Sequence, residues 1–400
     1  MSKPKVFEKP TGVKDYLPDT VAKLRTIEFR VLECMEKWGY RQIITPTLEF
    51  YDTVGAASST TDKKLFKLLD QNGRTLVLRS DMTAPIARVV ASMLKEQEFP
   101  LRLSYHSNVF RAFAEEAGKE SEFFQTGVEL VGDGSPEADA EVIALAVAAL
   151  QAAGVKSFKI ALGHVGFLNG LFEETLGGRE EEQRALKECL LNRDYVGYRH
   201  RLKSFELDEK VLRELDGILR FSGGEQVCEQ ANAVTTHPVA LEAIRHLCGI
   251  VEVLKAYGVS EHVLIDLTMV GDFSYYTGMT FEGYASGLGF PVCSGGRYDN
   301  LLTQFGRPSP ATGFALKTNR ILEVTNAERN EDDRRTLVLY DAAHRGEALR
   351  AAAELRSASR GSVETHFVHG AEAEQAIVKS DGGTFRFRGH EFTDIQSFLG

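Results

Sequence analysis

Two β-rich runs, Leu101–Arg111 and Glu122–Val131, flank a polar loop in the stretch LRLSYHSNVFRAFAEEAGKESEFFQTGVELV, and this pattern constrains the fold more than any other. It predicts a long antiparallel hairpin with a wide connection. On the second run, two-residue alternation puts Phe123, Gln125, Gly127 and Glu129 on one face, and Phe124, Thr126, Val128 and Leu130 on the other. A carboxylate and an amide projecting together beside a glycine suit an ammonium or imidazole ligand. The same alternation fits a strand whose Gln and Glu face solvent, and the stretch alone does not choose between the two.

A chain of 400 residues is long enough for one large core plus a smaller domain. Its net charge of −10 argues against a protein whose main task is gripping nucleic acid, because phosphate neutralisation supplies most of such affinity. The cysteines Cys34, Cys189, Cys228, Cys248 and Cys293 are scattered and never spaced as CxxC. They read as reduced thiols in a cytoplasmic protein, with neither a disulfide frame nor a metal site. The start, MSKPKVFEKPTG, has no apolar signal region, and no apolar run reaches membrane-spanning length, so no membrane partner is expected.

In chain order, Asp19 can cap a helix running to about Trp38, with Leu24, Ile27, Val31, Cys34 and Trp38 on its apolar face. Arg41–Phe50 reads as a β run interrupted by Pro46, which belongs at an edge or an interface. Lys64–Leu69 and Thr75–Arg79 bracket Asn72-Gly73 as a hairpin. RSDMTAP then opens a helix toward Leu94; Asp81 and Thr83 sit where side chains can point into a cleft, though Ser80 or Asp81 could equally be a helix cap.

Pro136–Ala153 is an alanine-rich helix with acidic residues in its first turns, and Lys156–Leu162 a strand. About 166–257 reads as a helical insertion. Strands resume at Val263–Thr268, Ser274–Tyr284 and Phe290–Cys293. Gly295-Gly296-Arg297-Tyr298-Asp299 opens a short helix, where the glycine pair could cradle an anion or simply turn the chain. Ala311–Val324 is a strand running into a helix. After the charged linker Asn326–Arg335, residues 328–400 form a small α/β domain. It comprises a strand Thr336–Tyr340, a helix Arg345–Ser357 with Leu349, Ala352 and Leu355 inward, a strand Val363–Val368, and the closing segments Gly382–Arg388 and Ile395–Leu399.

PTGVKDYLP, RSDMTAP, NVFR, FFQTGVELVG, SYYTGMTFEGY, CSGGRYDNL and GFALKTNR stand in the order of a class II aminoacyl-tRNA synthetase catalytic domain. Over about residues 8–325 the chain most resembles histidyl-tRNA synthetase, and YYTGMTFE with CSGGRYDNL is the most specific part. The resemblance implies an α+β fold: residues 1–325 as a mainly antiparallel sheet flanked by helices, dimerising through the first helix and the Pro46 strand.

It also implies site residues. Asp81, Thr83 and Gln125 match the groups that meet the α-amino group of histidine, Glu129 and Tyr276 those that meet the imidazole, and Tyr275 supports the pocket. Arg111 and Arg320 match the two nucleotide-binding arginines. The family's further catalytic arginine aligns with Gly271, and no Lys or Arg occurs between Glu261 and Tyr284. Phe113, Lys119, Ser121, Lys317 and Asn319 depart from the nucleotide-side pattern, with Lys317 standing where a Gly leaves room for nucleotide. Losing a charge partner at a transition state typically costs about a hundredfold or more in rate, so efficient adenylation is not expected.

A histidine receptor without nucleotide chemistry resembles the regulatory subunits of ATP phosphoribosyltransferase, the first enzyme of histidine biosynthesis. That family implies no activity of its own, no cofactor and no metal. It implies pairing with a short catalytic subunit in a hetero-octamer of four plus four, a requirement for that subunit's activity, and feedback by L-histidine. A divergent histidyl-adenylate-forming ligase is the alternative, supported by Arg111 and Arg320. A histidine sensor acting on another partner is a third reading.

Overall fold

Pro18, not Asp19, opens the first helix. The computed structural model describes residues 7–112, 120–269, 275–325, 334–358, 361–369, 377–379 and 384–400. Helix α1 (Pro18–Lys37) follows Leu17, which makes no side-chain cap. Proline's missing N–H has no partner to lose at the first helical position, and Asp19 in the first turn favours the helix dipole instead of capping it. Leu24, Ile27, Val31 and Met35 are buried, so the inward face turns toward Met35 and leaves Cys34 and Trp38 half-buried.

Pro46 splits the expected β run into β1 (Arg41–Gln42) and β2 (Leu48–Phe50), which join different sheets. A proline has no N–H to offer a ladder, so pairing stops there. β2 pairs with β4 (Thr75–Leu78), and β4 with β3 (Lys67–Leu69) across the turn at Gly73, whose φ of +77° suits glycine. Helix α2 (Thr83–Ser92) follows. The long hairpin is present as β5 (Leu101–Phe110) and β6 (Glu122–Val131), antiparallel from Leu101↔Val131 to Phe110↔Glu122.

Ser135 caps α3 (Pro136–Ala152) by accepting the Ala138 N–H at 3.2 Å. Strand β7 (Phe158–His164) leads into α4 (Val165–Leu176), α5 (Glu180–Leu191), α6 (Tyr195–Ser204), α7 (Glu209–Gly217), the short strand β8 (Ser222–Gly223), α8 (Gln226–Asn232) and α9 (Pro238–Ala256). Then come β9 (Val263–Asp266), β10 (Met279–Ala285), β11 (Cys293–Arg297), β12 (Ala311–Lys317) and α10 (Thr318–Val324). The main sheet runs β1-β5-β6-β12-β11-β10-β7-β9-β8, parallel at β1·β5 and β7·β9 and antiparallel elsewhere.

One expectation fails at β11. The strand placed at Phe290–Cys293 starts at Cys293, and Gly295-Gly296-Arg297 lie within it instead of opening a helix. The glycines serve close packing: a Cβ on Gly295 would meet the Phe281 ring and the Gly313 carbonyl, and one on Gly296 the Tyr276 ring. The glycine pair is therefore sheet floor and no anion cradle.

The two faces of the sheet have different fates. Val128, Leu130, Phe314, Leu316, Ile160 and Leu162 pack against α1, α3 and α9, in a core that continues through Phe167, Leu186, Tyr198 and Leu247 of the helical stretch. Burying one such leucine contributes roughly 1.5–3 kcal/mol. The opposite face carries Gln125, Gly127 and Glu129, beside a second core made by α2, Tyr105, Val109, Tyr298 and Leu302.

Residues 328–400 form a separate compact unit. Within it β13 (Arg335–Tyr340) lies parallel between β14 (Ser362–Phe367) and β18 (Asp394–Phe398), and β15 (Ile377–Lys379), β16 (Phe385–Phe387) and β17 (His390–Phe392) make a second small sheet. Helix α11 (Arg345–Ala358) buries Ala348 and Ala352, while Leu349, expected inward, is 41% exposed. The inward stripe is set by the small residues that let the helix approach its sheet, and Leu349 falls beside it.

Candidate functional site

Glu129 projects from the middle of β6 into a cavity of about 80 Å³ whose lining includes Asp81, Thr83, Gln125, Tyr275 and Tyr276. All six residues singled out for histidine are thus brought together. Glu129 is 2% exposed. Its Oε1 accepts from the Thr83 hydroxyl at 2.7 Å, and its Oε2 from the Tyr298 hydroxyl. Burial pushes the carboxyl up to about 8, and the two donated hydrogen bonds hold it back from rising further.

Asp81 does both things the sequence left open. Its Oδ1 accepts the Ala84 N–H at 3.1 Å, capping the start of α2, and its Oδ2 accepts from the Ser58 hydroxyl. It also lines the cavity. Gln125 is buried beside it in the same wall. The Tyr275 ring stacks on Tyr298 at 5.5 Å between centroids and meets Tyr276 edge-on at 5.0 Å. Strong desolvation raises the Tyr105, Tyr275 and Tyr298 hydroxyls well above their usual range, so they stay protonated.

Glycines clear the floor for these groups. A Cβ on Gly127 would strike Tyr105, and one on Gly313, paired with Glu129 in the next strand, would strike the Glu129 carboxylate. Tyr105 and Tyr298 are pocket residues that the sequence reading missed. Alternation along β5 would have found Tyr105 facing Gly127. Tyr298 was hidden because the strand it follows, β11, reads as a helix start.

Arg111 lines this cavity and also a neighbouring one of about 380 Å³ bounded by Lys14, Glu120, Phe123, Phe290, Lys317 and Arg320. Arg111 Nε donates to the Ser80 carbonyl at 2.9 Å, and its guanidinium stands 5.5 Å over the Phe123 ring. Arg320 Nη1 donates to the Pro291 carbonyl at 2.8 Å, and its guanidinium lies 5.2 Å over Phe290. Lys317 points to the same cavity, and burial together with Arg320 and Arg111 pulls its ammonium down to about 8. Lys317 thus stands inside the cavity, in the position where the sequence put it in place of a Gly, and with Arg111 and Arg320 it gives this side positive charge even though the family's further arginine aligns with Gly271.

Asn319 serves structure. Its Oδ1 accepts the Phe124 N–H at 2.9 Å and its Nδ2 donates to Glu120 at 2.8 Å. Ser121 donates its N–H to the Gly12 carbonyl at 2.7 Å, pinning the N-terminal loop. Phe113, Lys119 and Gly271 lie outside the described residues. Among the described residues no cluster of His, Cys, Asp or Glu could hold a metal ion, the cysteines are free thiols, and no helix is long and apolar enough to cross a membrane.

The sheet order and the glycine-floored cleft define a class II synthetase fold of the histidyl type, and the family model described as histidyl-tRNA synthetase matches residues 12–321. A solved structure from Bacillus halodurans, described as an ATP phosphoribosyltransferase regulatory subunit/histidyl-tRNA synthetase, superposes with a TM-score of 0.87 at 41% identity, covering 100% of each chain. The ATP phosphoribosyltransferase regulatory subunit of Halalkalibacterium halodurans is 47% identical over 89% of this chain and 90% of its own length. That of Geobacillus kaustophilus is 47% identical over 89% of each. The chain belongs to the family of ATP phosphoribosyltransferase regulatory subunits.

Proposed function

We propose that this chain is the regulatory subunit of ATP phosphoribosyltransferase in histidine biosynthesis, and that it binds L-histidine in the Glu129 cavity. The observation that carries the histidine assignment is the Glu129 carboxyl, buried and held by Thr83 and Tyr298, with Gln125 and Asp81 in the same wall. A fixed carboxyl group can donate to the imidazole's bare nitrogen when protonated or accept from its N–H when ionised, while Asp81 and Gln125 suit an α-ammonium group. The family relationship supports a short catalytic subunit as the partner.

In this reading the chain does not itself catalyse. Histidine binds two states of the complex unequally and shifts their populations, which is feedback by linkage. Four regulatory and four catalytic chains form the assembly, and two copies of this chain meet through α1 and the Pro46 segment. Exposed Phe29, Ile44, Leu48 and Phe50 there support that contact. The test is a reconstituted assay of this chain with a short phosphoribosyltransferase, with and without histidine. Activity that neither requires this chain nor responds to histidine sinks the reading.

The adenylating alternative draws on one observation, the cations Arg111, Lys317 and Arg320 around one cavity. Histidine-dependent exchange of pyrophosphate into ATP separates the two, and robust exchange favours the ligase.

A further inference from the structure

We propose that Lys317, with Arg111, binds the free α-carboxylate of the amino acid seated on Gln125 and Glu129, so that the site selects an unesterified amino acid. The inference rests on the histidine reading above and adds to it the group that reads the other end of the ligand.

The register places Lys317 for this. Lys317 is the antiparallel partner of Gln125, so both side chains leave the same face of the sheet, two residues along from the Ala315↔Gly127 pair and four from Gly313↔Glu129. Arg111 borders both cavities and marks where they adjoin. A ligand whose imidazole meets Glu129 and whose ammonium meets Asp81 and Gln125 has one charge left over, its carboxylate. The Arg111 boundary is the cationic side of that cavity.

The Lys317 ammonium is also available. Among the described residues it makes no hydrogen bond and no ion pair. Glu282, the carboxylate that acts on it, accepts from Arg193 at 2.6 Å and from Tyr284, and of the two glutamates lining the cavity, Glu120 and Glu323, Glu120 is held by Lys14 at 2.5 Å and Asn319 at 2.8 Å. Arg320 is turned toward Pro291 and Phe290. A buried cation without an anion is costly, so a ligand's negative charge is what this position lacks. An ester or an amide at the same carbon would remove that charge, and the lysine would then oppose binding instead of aiding it.

Titration calorimetry on the full chain with L-histidine and with L-histidinol, which keeps the imidazole and ammonium but has no carboxylate, tests the assignment. The unaltered chain is expected to prefer histidine by about a hundredfold, the size typical of a desolvated charge pair. Lys317→Met should collapse that preference by weakening histidine and leaving histidinol unchanged, while Lys317→Arg should restore most of it. Equal losses for both ligands in Lys317→Met would mean a structural role and overturn the proposal, as would an unchanged preference. Pyrophosphate binding that disappears in Lys317→Met while histidine binding stays intact would give the cavity to a phosphate and overturn it too. A chain that binds histidine with no dependence on Glu129 would instead break the underlying pocket reading.

Discussion

The Tyr298 hydroxyl donates to Oε2 of Glu129 while the Thr83 hydroxyl donates to Oε1 at 2.7 Å, so one carboxyl ties β6 to the end of β11 and the start of α2. Three stretches far apart in sequence are thereby fixed around one acceptor. The two hydrogen bonds hold that carboxyl still from both sides.

Removing either polar group from the floor should weaken histidine binding. Glu129→Ala and Gln125→Ala are each expected to lower affinity by about tenfold or more, the loss expected when a buried hydrogen-bonding partner is deleted. Calorimetry reads it directly, and unchanged affinity in both variants would place the effector site elsewhere.

The pH dependence of stability follows from the Glu129 carboxyl. Its folded value of about 8 lies above the ordinary 4.5, so between those values the folded chain keeps a proton that the unfolded chain has lost. Stability therefore falls as pH rises through that window. Lys317, drawn down to about 8 from 10.5, acts in the opposite sense but only above that value. Urea midpoints at pH 5.5 and 7.5 should drop more for the unaltered chain than for Glu129→Gln; parallel drops would show that the carboxyl ionises as freely as in water.

Arg297 and Asp139 form a bidentate ion pair, both bonds 2.9 Å, with Asp139 fully buried. Replacing Arg297 by Met takes the bidentate partner from that carboxylate and leaves it Thr312 and His246, a loss of about 3–5 kcal/mol in comparable buried pairs. Because Tyr298 follows Arg297, histidine binding should weaken in the variant as well. Chemical denaturation measures the first effect, and a loss below about 1 kcal/mol would contradict the buried-pair account.

Gly313→Ala should cost both stability and ligand. The added Cβ meets the Glu129 carboxylate and the Val128 carbonyl, and the strand backbone cannot yield. Strain of this kind costs about 1–3 kcal/mol. The decisive readout is histidine affinity in the folded variant, which is expected to fall; retention of full affinity would mean that the carboxylate is not where the ligand docks.

Phe29 and Ile44 are 67% and 82% exposed, a large apolar exposure for a lone chain. Ile44→Glu should shift the species seen by light scattering from dimer to monomer without loss of helical signal. A dimer that survives the change would assign the contact to another surface.

Local pattern made much of this molecule legible. Strict alternation in FFQTGVELVG fixed which side chains share a face, because a strand's period is two whatever surrounds it. Pro46 marked the end of pairing, and Asn72-Gly73 the turn, since each acts through its own backbone. The motif order pointed to the class II synthetase fold that the sheet displays.

Tertiary structure decided the rest. Whether Gln125 and Glu129 faced water or a cleft depended on α2 and the segment after β11 that carries Tyr298 closing over them, contacts made across scores of residues. The Gly295-Gly296 pair looked like a turn, because glycine's freedom says nothing of whether it is used for bending or for close approach. Lys317 read as the loss of a nucleotide site, and only its pairing with Gln125 revealed a buried charge beside Arg111. Sequence sets the direction in which each side chain leaves its strand; which partners it meets depends on how the sheet is assembled and covered.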